Sequence, residues 1–144
     1  MSIADLLPGP IASSEGADMV LELAFLMSAV DGHLADEELA AFRVLVGTAR
    51  GREVTKTEVD DLLEQFVVAT QVGVEDRVRA IARMLPVELR EVAFKVTVGL
   101  SLVDHDASEH EYAIVGILAP ALELKERAIV LAREAHEAIE GKAS

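Results

Sequence analysis

The feature that most constrains this chain is an apolar helical run that meets an Asp and restarts as an acidic helix, and it occurs twice. The first copy reads Ala29-Val30-Asp31-Gly32-His33-Leu34-Ala35-Asp36-Glu37-Glu38-Leu39. The second stands 73 residues later, as Leu102-Val103-Asp104-His105-Asp106-Ala107-Ser108-Glu109-His110-Glu111-Tyr112. Aligned without gaps, 20–46 and 93–119 share six identities in 27 positions: Ser28/Ser101, Val30/Val103, Asp31/Asp104, Glu38/Glu111, Ala40/Ala113 and Leu45/Leu118. Their placement matters more than their number. The Asp that closes one helix and the Glu in the first turn of the next recur at one separation, and Asp36/Glu109 keep the charge. The pattern predicts an all-α fold built on a duplicated helical hairpin, its halves related by a pseudo-twofold.

The rest of the chain fits that frame. Pro8-Gly9-Pro10 and Ser13-Ser14-Glu15-Gly16 are breaker signals, so 1–16 reads as a loose arm that Ile3, Leu6 and Leu7 could dock, and 17–144 as a single helical domain. Helical spacing of apolar residues predicts helices over about 17–30, from Asp36 to about 46, and to about 70 after the capping box Thr55-Lys56-Thr57-Glu58. In the third of these Val59, Leu62, Leu63, Phe66 and Val67 share a face. A short helix over about 75–85 turns Val78, Ile81, Ala82 and Leu85 inward and Arg77, Arg79 and Arg83 largely outward. Residues 87–103 alternate with period two, as a strand would; no partner strand exists and the segment aligns with the first helix, so helix is the reading. A sixth helix, about 109–121, starts at the capping box Ser108 to Glu111 and should stop or kink at Pro120. A seventh, about 125–140, places Ile129, Ala132, Ala135, His136 and Ile139 near one stripe.

Composition narrows function. At 144 residues, half of them apolar, the chain can bury a real core of Leu, Val, Ile and Ala, and disorder is not expected. With no Cys, disulfides, thiolate zinc and Cys nucleophiles are excluded, which is compatible with a reducing cytoplasm. A net charge of -13 argues against nucleic acid and anionic membrane surfaces and leaves metal cations and basic proteins as partners. No apolar stretch reaches the ~20 residues of a membrane span, and no signal peptide is visible in 1–16. Direct membrane insertion is therefore not expected, and a monomer or weak dimer is.

The acids of the two turns carry the chemistry. Asp31 and Asp104 sit at helix C-termini, where a carboxylate meets the negative end of the dipole at a cost of about 0.3–1 kcal/mol. Two readings stay open. In one, the acids accept backbone N–H groups of a tight turn or helix start, Glu38 and Glu111 acting as capping-box members. In the other, each turn holds a divalent cation: Asp31, Asp36, Glu37 and Glu38 in the first, Asp104, Asp106, Glu109 and Glu111 in the second. Such oxygen donors suit calcium or magnesium. The sequence does not match a calcium-loop motif; only Asp104-His105-Asp106 has its beginning. His33 and His105 each stand four residues before an acid but are not equivalent in the repeat, and no Glu-x-x-His pair of a di-metal bundle occurs. His110 and His136 read as helix-surface residues. Neither a Gly-rich phosphate loop nor a Gly-x-Ser-x-Gly elbow is present, so the chain reads as a non-enzyme.

Asp31-Gly32-His33-Leu34-Ala35-Asp36-Glu37-Glu38, set between apolar helices and echoed in the second half, resembles the signature of the TerB-like tellurite-resistance family. In that family an Asp-Gly turn is followed by a Ser, Thr or Asp cap and then Glu. The resemblance covers about 17–140. It implies an all-helical domain of roughly seven helices in two pseudo-symmetric halves. It further implies a cytoplasmic bacterial protein tied to tellurite resistance and related stress, non-enzymatic, with metal binding and docking to membrane-associated or other stress proteins suggested. Two departures stand out. Ala35 replaces the family's capping residue, which leaves Asp36 as the cap or leaves the cap weak. His105 replaces the Gly of the second turn, so the two turns need not share one geometry.

Overall fold

A computed structural model describes residues 3–7, 9–28, 34–69, 71, 73–103, 114–124 and 126–140. Among them every regular element is helical. A 3-10 turn, Ile3–Leu6, precedes α1 (Ser14–Ser28), α2 (Asp36–Arg50), α3 (Lys56–Ala69), α4 (Val74–Met84) and α5 (Val87–Leu102). A π-helical turn, Ile114–Leu118, runs into a short α6 (Ala119–Ala121), and α7 spans Arg127–Glu140. The sequence therefore places α2 through α5 within a residue or two of their observed starts.

Helices α1 and α5 form the centre and pack chiefly on each other. From Val20 to Ser28 every residue of α1 is buried, and in α5 so are Ala93, Phe94 and all of Val96 to Leu102. That explains the strand-like alternation of α5. A helix covered on all sides needs no polar face, so its sequence loses the 3.6-residue period. Its hydroxyls are satisfied within the helix: Thr97 Oγ1 donates to the Ala93 carbonyl and Ser101 Oγ to that of Val98, both at 2.7 Å. Helix α7 lies along α5 in parallel, since the contacts Glu91/Arg127, Lys95/Glu134 and Gly99/Ile139 advance together.

The structure differs from the sequence reading on α7, on α3 and ahead of α6, whereas the arm docks through the expected Ile3, Leu6 and Leu7, which are buried, its 3-10 turn resting on α2, α5 and α7. Gly99 makes room for it: a Cβ there would stand 2.3 Å from Leu6 Cδ1. The Ile11 N–H then bonds the Ala49 carbonyl at the end of α2 (2.9 Å). On α7 the inward stripe is Ala128, Leu131, Ala135 and Ala138, and Ile129 is 70% exposed, with His136 also on the surface. Small residues let α7 approach α5 closely, which rotates the larger Ile129 outward. Val67 of α3 is likewise on the surface. Finally, the expected sixth helix is described only from Ile114, and there it is π-helical before α6. Pro120 has no N–H to give a carbonyl one turn back, so the α register cannot continue through it unchanged. The first half of that expected helix, with its Ser108–Glu111 box, lies outside the described residues.

Candidate functional site

The first acidic turn leaves the buried end of α1 and is described again from Leu34. Ala35 is the N-cap of α2, with extended backbone (φ -62°, ψ 157°). It has no side-chain oxygen, so the cap works from the other side: Glu38 Oε1 accepts the Ala35 N–H at 3.1 Å. Of the two expected outcomes, Asp36 as the cap or a weak cap, the first does not hold: Asp36 is the first residue of the helix proper, and the cap residue Ala35 offers no side-chain hydrogen bond. Glu38 is accordingly 2% exposed, although it is a carboxylate, and its burial follows from folding back over the helix start. Asp36 and Glu37 remain exposed. All three acids stand in the first turn of α2, where the helix dipole favours them by roughly 0.3–1 kcal/mol each.

Of the residues expected to hold a cation, Asp36 and Glu38 are thus positioned on one helix start, Glu38 inward and Asp36 outward. Asp31, Asp104, Asp106, Glu109 and Glu111 lie outside the described residues. Among the described residues no group of three or more His, Asp or Glu is gathered as a metal ion would require. Asp36 and Glu37 are hard oxygen donors of the kind calcium or magnesium takes.

A second charged centre was not anticipated. Glu22, inside the apolar run of α1, is 5% exposed and binds Arg77 of α4 in a two-pronged ion pair, Nε to Oε2 at 2.6 Å and Nη2 to Oε1 at 2.9 Å. The hydrogen bonds to Glu22 hold the Arg77 guanidinium above its usual value, and partial burial opposes them. The signal was in the sequence: one acid within Met19-Val20-Leu21-Glu22-Leu23-Ala24-Phe25 needs a cation once that helix is central. The sequence spacing turns Arg77 largely outward; in the structure it is half-buried and its guanidinium reaches Glu22 of α1.

No described helix is long and apolar enough to cross a membrane. Searches of curated protein sequences and of solved structures return no match. A family profile, described as tellurite resistance protein TerB, matches residues 17–134. That match runs from the first turns of α1 to the middle of α7 and takes in both acidic turns, and the chain belongs to the TerB tellurite-resistance family.

Proposed function

We propose that this chain is a non-catalytic acidic binding domain of the tellurite-resistance and stress-response type, working in a bacterial cytoplasm, whose two acidic turns take calcium or magnesium. Family membership supports the class of function. The observation that carries the cation reading is the start of α2, where Asp36 and Glu37 present exposed carboxylates directly after the Asp31 turn. In this reading Asp31 and Asp36 hold the first ion, with Glu38 joining them only by leaving the Ala35 N–H it accepts, and Asp104, Asp106, Glu109 and Glu111 hold the second. A bound cation would neutralise the cluster and lock the loop that joins the helices.

A second reading has its own support. Glu38 gives one oxygen to the Ala35 N–H, a capping role that needs no metal. The acids would then serve as caps and surface charge, and the domain would act by docking basic or membrane-associated stress proteins as a monomer or weak dimer. Calorimetric titration of the metal-stripped protein with calcium, magnesium and then zinc at physiological salt separates the two. Stoichiometric binding at about micromolar Kd or tighter, lost in Asp31→Asn/Asp104→Asn, is the outcome expected of a cation domain. Weak binding that salt abolishes would leave docking as the function.

A further inference from the structure

The N-terminal arm covers α5 at that helix's single glycine. A Cβ on Gly99 would collide with Leu6 Cδ1 and stand 3.6 Å from Ile139 Cδ1 of α7. Leu6 thus fills a notch between the last turns of α5 and α7. Ile3 and Leu7 are buried with it, and the 3-10 turn also touches α2. The result is an aliphatic seat, floored by Gly99 and walled by Ile139, that is occupied by this chain's own Ile3-x-x-Leu6-Leu7 spacing.

The arm is fastened unevenly. Residues 10 and 11 are anchored: the Ile11 N–H donates to the Ala49 carbonyl at 2.9 Å, and Pro10 packs on Gly51. Residues 3–7 are held differently. Their backbone bond, Leu7 N–H to the Ala4 carbonyl at 3.1 Å, is internal, so burial of three aliphatic side chains is chiefly what keeps them down. Gly9 lies between the two parts at φ 142°, where an added Cβ would meet nothing within 4 Å. The chain can pivot there with its anchor intact. A terminal segment so attached opens at a lower free energy than the core helices beneath it. The arm also precedes the family domain, which begins at residue 17, whereas α5 lies within it.

We propose that residues 3–7 form a strap over a docking seat, and that the lifted strap yields the seat to a short aliphatic helical turn of a partner protein. The occupant's chemistry is read from the strap itself: aliphatic side chains at i, i+3 and i+4, the middle one a Leu for the Gly99 notch. The strap competes from a tether, at an effective concentration of about millimolar. The closed form therefore lowers the resting chain's apparent affinity for the partner, and whatever lifts the strap raises it. This inference rests on reading the chain as a binding domain and adds where a partner sits and what holds it off. It does not involve the acidic turns.

The probe is a fluorescein-labelled peptide of residues 1–9, titrated by anisotropy with the full chain at physiological salt. In Leu6→Asp the new charge cannot stay buried, so the strap lifts and the seat stands open. This variant should keep its helical circular dichroism and bind the peptide saturably, about tenfold more tightly than the unaltered chain. Adding Gly99→Ala fills the notch and should remove about tenfold of that affinity. A Leu6→Asp chain that unfolds would make the arm part of the core and overturn the strap. No gain in peptide binding from Leu6→Asp, or no loss from Gly99→Ala, would overturn the seat. Sedimentation at about 0.1 mM, below the tethered arm's effective concentration, should find the unaltered chain monomeric. A dimer lost in Leu6→Asp would instead assign the seat to the arm of a second copy and overturn the partner. Calcium calorimetry on the same Leu6→Asp sample reads the acidic turns separately, so a failed seat and a domain that works by cations alone are told apart.

Discussion

Position 22 in α1 and position 95 in α5 stand opposite each other when 20–46 is aligned with 93–119, and each carries a charge that reaches a neighbouring helix. Glu22 meets Arg77 with side chains 7% and 30% exposed. Lys95 meets Glu134 with side chains 27% and 44% exposed. The sign is reversed and so is the environment. The first half of the molecule ties α4 to α1 with a largely dehydrated pair. The second ties α5 to α7 with two wetter ones, Glu91–Arg127 and Lys95–Glu134, and to the turn after α6 with a third, Arg90–Glu123, each at 3.0 Å. The two aligned positions thus share a cross-helix tie but not its chemistry. The consequence is unequal robustness, because a dehydrated pair is weakly screened and exposed pairs contribute about 0–1 kcal/mol and fade with salt.

The close approach of the N-terminal turn to α5 gives the largest expected effect. Leu6→Ala should cost about 3 kcal/mol, through lost burial and the cavity left among α2, α5 and α7. Gly99→Ala should cost about 2 kcal/mol, since its Cβ would collide with Leu6 Cδ1. The double variant should cost at least ~1 kcal/mol less than the sum, because removing Leu6 makes room for the new methyl. Urea denaturation of the four proteins measures this. Strict additivity would mean that the turn does not rest on α5. The corresponding change in the other central helix, Gly16→Ala, should be milder: the Cβ would come within 2.8 Å of Leu89 Cδ1, but Leu89 is only half-buried and can swing away.

These contacts also mark what the sequence could convey. Amphipathic helices were legible because the period of burial is written in the residues: Val59, Leu62 and Phe66 in α3, or Val78, Ile81 and Ala82 in α4. The central α5 is harder, since full burial erases the period; the lack of a partner strand and its alignment with α1 are what indicate a helix. The seat of the arm was beyond local pattern, because it depends on a missing side chain at Gly99 that only the packed structure relates to Leu6. For the site, the acidic start of α2 was legible as a cluster. Which acid faces inward was not, since Ala35 transfers the capping task to Glu38. The Glu22–Arg77 pair was half legible: a lone acid in an apolar helix announces a need, but not which Arg meets it.

The ends of α2 and α6 offer a pair of opposite signs. Helix α2 ends on Gly51 at φ 71°, with its N–H on the Thr48 carbonyl and the Arg52 N–H on that of Gly47. Just past α6, Glu123 stands at φ 59°, a conformation that side chains resist. Gly51→Ala should cost about 1–2 kcal/mol, because it adds strain and a Cβ 2.9 Å from Pro10 Cγ. Glu123→Gly should gain about 0.5–1 kcal/mol, the relief of strain exceeding the loss of the exposed pair with Arg90. Thermal unfolding of both variants checks the contrast. A Glu123→Gly protein that melts lower would mean that the Arg90 pair is worth more than the strain.

The smallest effect concerns the wet ties and appears only against pH. The Arg127 guanidinium, chiefly by hydrogen bonding, holds the Glu91 carboxyl below its ordinary value of 4.5. A carboxylate with a lower pKa folded than unfolded stabilises the fold at every pH above the unfolded value, and that contribution fades as pH falls through the folded value. The unaltered protein should therefore lead Glu91→Gln slightly in Tm from neutral pH down to the ordinary carboxylate range, and the lead should vanish in more acidic solution. Both side chains are about half exposed, 53% for Arg127 and 47% for Glu91, so added salt should also shrink the lead. If the deficit of Glu91→Gln were instead the same in acid as at neutrality, the carboxylate's charge would not be its cause. The contrast between a dehydrated tie in the first half and titratable, screened ties in the second would then lose its electrostatic basis.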